Sequence, residues 1–246
     1  MIGIILAGGR GERMKSPLPK VLHKICGKPM LHYILKGIGS LKDIEEIIVV
    51  VGYKGNKVKK VLPQGIKVAF QKKRLGTADA VKSCKNILKK YKGDVLITCG
   101  DVPLITSRTL GNLIKKHKEN KADATILTTY VKNPFGYGRI LRDSKREVLG
   151  IVEEKDCNER EKKIREINSG IYCFKWEKLS KVLSEIKINK LKKEYYLTDA
   201  ISIFRNKKYI IKTLLVRDWK ETIGVDTKQR LKEVEEILKG RESEKE

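Results

Sequence analysis

The feature that most constrains this chain is its alternation of apolar runs with segments of helical spacing. Residues 2–6, 46–51, 66–70 and 94–98 are short apolar runs, and Val49-Val50-Val51 is β-branched throughout. Between them, residues 30–41, 54–62, 77–91 and 106–119 carry apolar positions at helical spacing. Such alternation predicts right-handed βαβ units and a mostly parallel sheet flanked by helices. Sheets of that kind bind ligands beyond the carboxyl ends of their strands. Residues directly after each run are therefore the first candidates for function.

After Ala122 the pattern changes. Apolar runs crowd together at 125–130, 139–142, 148–153 and 167–174, separated by turn-rich pieces such as Asn133-Pro134-Phe135-Gly136. This predicts a second half folded onto the same sheet. Residues 227–239 read as an amphipathic helix and 240–246 as a polar tail. The expected organisation is one domain over 1–226, with halves 1–121 and 122–226, followed by the terminal helix.

Composition excludes several function classes. No apolar run approaches the roughly 20 residues needed to span a bilayer. Residues 1–6 lack the charged lead-in of a signal peptide, so the cytoplasm is the expected location. Cys26, Cys84, Cys99, Cys157 and Cys173 show no C-x-x-C spacing, which argues against a disulfide framework or a zinc site. Lys and Arg number 55 against 30 Asp and Glu, a formal charge of +25. That balance suits a nucleic-acid surface or a basic shell around an enzyme. Aromatics are only 6% and no RNP, zinc-finger or basic-zipper pattern occurs, so the shell is preferred. Clusters such as Lys57-Val58-Lys59-Lys60 and Lys190-Leu191-Lys192-Lys193 read as solvated faces. Neither nucleic acid nor a membrane is expected as a partner.

The loop after the first run is Leu6-Ala7-Gly8-Gly9-Arg10-Gly11-Glu12-Arg13-Met14, with Pro19-Lys20-Val21-Leu22 beyond it. Its glycines let backbone N–H groups converge on an anion, and Arg13 and Lys20 add positive charge. It is neither a Walker A loop nor G-x-G-x-x-G. A triphosphate fits it well.

Residues 6–30 resemble the nucleotide-sugar pyrophosphorylase signature. The stretch is most similar to the uridyltransferase half of bifunctional N-acetylglucosamine-1-phosphate uridyltransferase and glucosamine-1-phosphate acetyltransferase enzymes. Further matches follow in order: Gln71 with Leu75-Gly76-Thr77, Gly100-Asp101-Val102-Pro103-Leu104, Gly136-Tyr137-Gly138-Arg139-Ile140, Ile151-Val152-Glu153-Glu154-Lys155-Asp156, Ile167-Asn168-Ser169-Gly170, and Glu194-Tyr195-Tyr196-Leu197-Thr198-Asp199. Each is weak alone; in order along nearly the whole chain they are specific.

The resemblance implies a Rossmann-like, GT-A-like nucleotidyltransferase fold in the α/β class, with a mixed, mostly parallel sheet. It implies magnesium-dependent transfer of UMP from UTP to N-acetylglucosamine 1-phosphate, releasing pyrophosphate. By resemblance, Leu6, Ala7, Gly8 and Gly9 pass beneath the nucleotide, and Gly100 lies in a nucleotide-binding match. Gln71, Gly76 and Thr77 read the uracil; an amide offers that edge both a donor and an acceptor. Arg13 and Lys20 offset phosphate charge. Asp101 and Asp226 hold Mg²⁺, although each also suits a humbler role, Asp101 opening a turn and Asp226 capping the last helix. Gly138, Glu153, Asn168 and Thr198 hold the sugar, with Tyr195 and Asp199 bordering the same pocket. The matches stay within the uridyltransferase half, so no acetyltransferase domain is expected in 1–246. A different sugar phosphate or dTTP remains open, as does a homo-oligomer.

Three positions depart from the pattern. Glu12 stands where Thr is usual, Cys99 where an aromatic is common, and Asp226 where Asn is usual. A carboxylate at position 12 suits a triphosphate only if Arg10 or Arg13 pairs with it.

Overall fold

The computed structural model describes residues 1–189 and 193–243. Its strands are β1 (Ile2–Ala7), β2 (Lys24–Ile25), β3 (Lys28–Pro29), β4 (Glu46–Val51), β5 (Lys67–Phe70), β6 (Asp94–Cys99), β7 (Ala124–Tyr130), β8 (Arg139–Arg142), β9 (Val148–Val152), β10 (Glu166–Lys175) and β11 (Ile211–Leu215). The α-helices are α1 (Met30–Gly39), α2 (Gly55–Lys59), α3 (Thr77–Lys82), α4 (Ser107–Glu119), α5 (Trp176–Val182), α6 (Asp199–Asn206) and α7 (Lys228–Ser243).

Among the described residues the main sheet runs β11-β7-β10-β6-β1-β4-β5, with β8 and β9 joined at β10. β1 pairs in parallel with β4 and β6, and β4 with β5. β10 lies antiparallel between β6 and β7. This is the mixed, mostly parallel α/β sheet that the alternation predicts.

Alternation along each strand divides the core. Ile4, Ile48, Val50 and Ile97 face one side with Val81 of α3, Leu179 of α5 and Phe204 of α6. Ile5, Val49, Val51 and Leu96 face the other with Ile34 and Ile38 of α1 and Leu110 and Leu113 of α4. Both faces are dry, so strands β1, β4 and β6 need unbroken apolar runs. A third, smaller cluster seats α7 through Val234 against Ile25, Met30, Leu104, Ile223 and Val225.

Several boundaries differ from the sequence expectation. The helix expected over 77–91 is α3 only to Lys82; the Ser83 hydroxyl donates to the Ala80 carbonyl, and the chain continues in turns. The helix expected over 54–62 shrinks to α2. The terminal helix does not stop at Lys239. Arg241 donates to the Leu104 carbonyl at 2.9 Å and to Asp218 Oδ2 at 3.1 Å, which holds the extra turn in place of the expected polar tail. Residues 244–246 of that tail, and Lys190, Leu191 and Lys192 of the basic cluster, lie outside the described residues. Helices α5 and α6 were not evident from spacing. Among the described residues no helix is long and apolar enough to cross a membrane.

Candidate functional site

The carboxyl ends of β1, β4, β5 and β6 meet at one edge. Gly100 N donates to the Leu6 carbonyl at 2.9 Å, Tyr53 N to Gly8 at 3.0 Å, and Gln71 N to Val51 at 2.8 Å. These bonds lock the loops leaving the strands around a cleft of about 800 Å³. The run from Leu6 through Arg13 lines it, with Lys20, Gln71, Gly76, Thr77, Asp101, Glu153 and Asp226. Residues from both halves of the chain therefore share one cleft.

The glycine-rich loop shapes this cleft by close approach. Gly11 has φ +68°, and a Cβ there would sit 2.7 Å from Lys20 Cβ. Glycine thus permits both the left-handed turn and the seating of the Lys20 stem against the loop. Glu12 pairs with Arg10 at 3.5 Å, which answers the objection to a carboxylate beside a triphosphate.

Four charged groups converge here. Lys20 Nζ contacts Asp101 Oδ2, both side chains being largely buried. Arg13 Nη1 lies 2.5 Å from Asp226 Oδ2. Burial opposes the charge of Lys20, but Asp101 foremost, and Asp226, outweigh it and raise the ammonium above its usual range. Asp101 directly follows β6, as expected. Asp226 does not follow a strand: β11 ends at Leu215, and 223–226 has no regular secondary structure and lies outside the sheet. Its neighbour Val225 donates to the Asp101 carbonyl at 2.8 Å, and that bond brings the two aspartates to one wall. Thr227 Oγ1, not Asp226, accepts from Arg230 N at 3.2 Å at the start of α7. The helix-capping alternative for Asp226 is thereby removed. Two hard carboxylates, each already facing a cation, suit Mg²⁺, which takes few protein oxygens and completes its shell with phosphate and water.

In the cleft lining, Gln71 is 7% exposed. Its Nε2 donates to the Gly76 carbonyl and to Asp79 Oδ2, each at 2.9 Å. The expectation that this amide offers both a donor and an acceptor is therefore corrected: both N–H groups are engaged within the protein. The Thr77 hydroxyl accepts from Leu197 N at 2.9 Å, tying this part of the lining to the 194–198 segment.

Glu153, which also lines the cleft, follows β9. Thr198 donates to its Oε1 at 2.9 Å. Burial raises the Glu153 carboxyl above the usual range, Thr198 lowers it in part, and Asp199 and Asp156 add to the rise. Gly138 stands beside it; a Cβ there would lie 3.5 Å from Glu153 Oε2 and 3.6 Å from Asn168 Cβ. Asn168 donates to the Tyr172 hydroxyl at 2.7 Å and accepts from Gly170 N at 3.1 Å. Cys99 also faces the cleft, its thiol pushed up to about 12 by burial and by Asp101. Tyr196 lines the cleft, whereas Tyr195 packs against the core.

Sequence reasoning missed Arg10, Lys73 and Arg74, which line the mouth. Arg10 and Arg74 lie over the Tyr53 ring, at 5.6 and 5.9 Å from its centroid. A basic run directly after Gln71 was the available signal.

A family model described as "Nucleotidyl transferase" matches residues 2–222. The chain is 44% identical over 238 residues to "Bifunctional protein GlmU" of Alkaliphilus metalliredigens (strain QYMF), covering 97% of this chain and 52% of that protein. It is 43% identical over 238 residues to the protein of the same name from Clostridioides difficile (strain 630), covering 97% and 51%. The chain thus spans about half the length of the curated relatives it matches.

Proposed function

Since this chain belongs to the nucleotidyl transferase family, we propose that it transfers UMP from UTP to N-acetylglucosamine 1-phosphate, giving UDP-N-acetylglucosamine and pyrophosphate. The observation that carries this reading is the single cleft lined by Gln71, Lys20, Asp101 and Glu153. A base reader, a phosphate cation, a metal carboxylate and a sugar acceptor share one space, in keeping with the family resemblance. A cytoplasmic location goes with these substrates.

The chemistry follows from the parts. An oxygen of the sugar phosphate attacks the α-phosphorus, and pyrophosphate leaves in line. The nucleophile is already an anion, so no protein base is required. The protein contributes orientation and charge neutralisation. Gln71 and the loop from Leu6 to Gly9 fix the nucleoside. Glu153 and Asn168, supported by Gly138 and Thr198, orient the sugar. Lys20 and Arg13 turn from their carboxylates to the departing phosphates. Asp101 and Asp226 would then hold Mg²⁺, which supplies charge withdrawal from the phosphate oxygens.

A panel of nucleoside triphosphates against sugar 1-phosphates, read by pyrophosphate release, tests this. The highest kcat/KM is expected for UTP with N-acetylglucosamine 1-phosphate. A clear preference for dTTP, or for another sugar phosphate, would refute it.

A further inference from the structure

Asp79 lies in the first turn of α3 and takes no part in the reaction just described. Its Oδ2 accepts from Gln71 Nε2 at 2.9 Å and from Leu75 N at 3.2 Å. Gln71 Nε2 donates to the Gly76 carbonyl as well, so both hydrogens of the amide nitrogen are used. Turning the amide over would set Oε1 against a carbonyl and a carboxylate, neither of which can donate. In a side chain this buried, that arrangement is strongly disfavoured. The amide is therefore held one way round. Its Oε1 faces Gly8 of the loop lining the cleft, where a Cβ would come within 2.7 Å of it.

The geometry points to Asp79 as a positioning residue for base choice: its carboxylate fixes Gln71 so that an acceptor faces the nucleobase. The inference rests on the nucleotide reading of this cleft. Uracil carries a hydrogen on ring nitrogen N3, and cytosine carries a lone pair there. Against Oε1, uracil completes a hydrogen bond, whereas cytosine sets lone pair against lone pair. Without the Asp79 carboxylate the amide loses its charged partner and can present N–H to cytosine.

The test compares UTP and CTP as substrates for the wild type, Asp79→Ala and Asp79→Asn. Asparagine keeps an acceptor oxygen and should keep the amide orientation. In Asp79→Ala the ratio of kcat/KM for UTP over CTP should fall about tenfold or more, chiefly through KM, as loss of one discriminating hydrogen bond implies. Asp79→Asn should restore most of that ratio. Melting shifts induced by each nucleotide give the same comparison without turnover. Should Asp79→Ala prove too unstable, Asp79→Ser keeps a polar first turn and serves in its place. An unchanged UTP-to-CTP ratio in these variants, with both substrates losing equally, would overturn the inference and leave Asp79 a purely structural role. A wild type indifferent to UTP over CTP would instead overturn the functional reading on which it rests.

Discussion

Replacing Asp226 with alanine should silence the enzyme while barely disturbing its fold. The partner of Asp226 is Arg13, whose side chain is 75% exposed, against 29% for Asp226. Ion pairs so open to water contribute at most about 1 kcal/mol. Thr227 rather than Asp226 caps α7, so no cap is lost. For a chain of this size about 1 kcal/mol corresponds to roughly 2–4 °C, and Asp226→Ala should melt within about 4 °C of the wild type. Asp101 differs. It and Lys20 are 16% and 20% exposed, and removing one partner of a buried pair costs about 3–5 kcal/mol. Asp101→Ala should therefore melt roughly 6–20 °C lower. Both substitutions should nearly abolish turnover. Asp226→Asn, which keeps an oxygen donor, should retain activity at raised Mg²⁺. The assay is initial rate against Mg²⁺ concentration, beside melting curves for each variant. A folded Asp226→Ala with normal turnover and an unaltered Mg²⁺ curve would refute the two-aspartate reading.

The remaining predictions address other residues in and around the cleft. Gly8→Ala places a Cβ 2.7 Å from Oε1 of the buried, doubly hydrogen-bonded Gln71 and should raise the KM for UTP about tenfold while also lowering the melting temperature; a normal KM would show that the Gln71 amide can yield. Glu153→Ala and Asn168→Ala should raise the KM for the sugar phosphate far more than that for UTP; the opposite pattern would place these residues at the nucleotide. Burial holds the Glu153 carboxyl above its ordinary value of 4.5. As pH rises from that value, the unfolded chain releases this proton before the native state does, so stability falls across the window and stays lower above it. Glu153→Gln removes that loss: its melting temperature should exceed the wild type at neutral pH and match it below about pH 4. An equal gain at both pH values would rule out titration as the cause.

The parallel strands and their carboxyl edge were legible because β1, β4 and β6 are buried on both faces and must be written as continuous apolar runs. Asp101 was legible for the same reason, since it leaves β6 at that edge. Asp226 was reached through the family resemblance. Its apolar neighbours Ile223 and Val225 pack beneath α7 and belong to no strand. Helix α5 escaped notice because its anchor is tertiary: Trp176 Nε1 donates to the Leu88 carbonyl at 3.1 Å. Asp79 was invisible as well. Its role depends on which way round the Gln71 amide sits, and spacing along the chain carries no information about that.

Strand β10 pairs along Tyr172–Lys175 with β6 and along most of its length with β7, so the two walls of the cleft hang from one hydrogen-bonded plate. Hinge closure of one half upon the other would require breaking those backbone pairs, in the dry core where an unpaired N–H or C=O is most costly. Gln71 follows β5 of this plate, and Glu153 follows β9, which reaches the plate through β8. On the proposed reading, the sheet joins the nucleotide and sugar sides of the cleft before any substrate arrives.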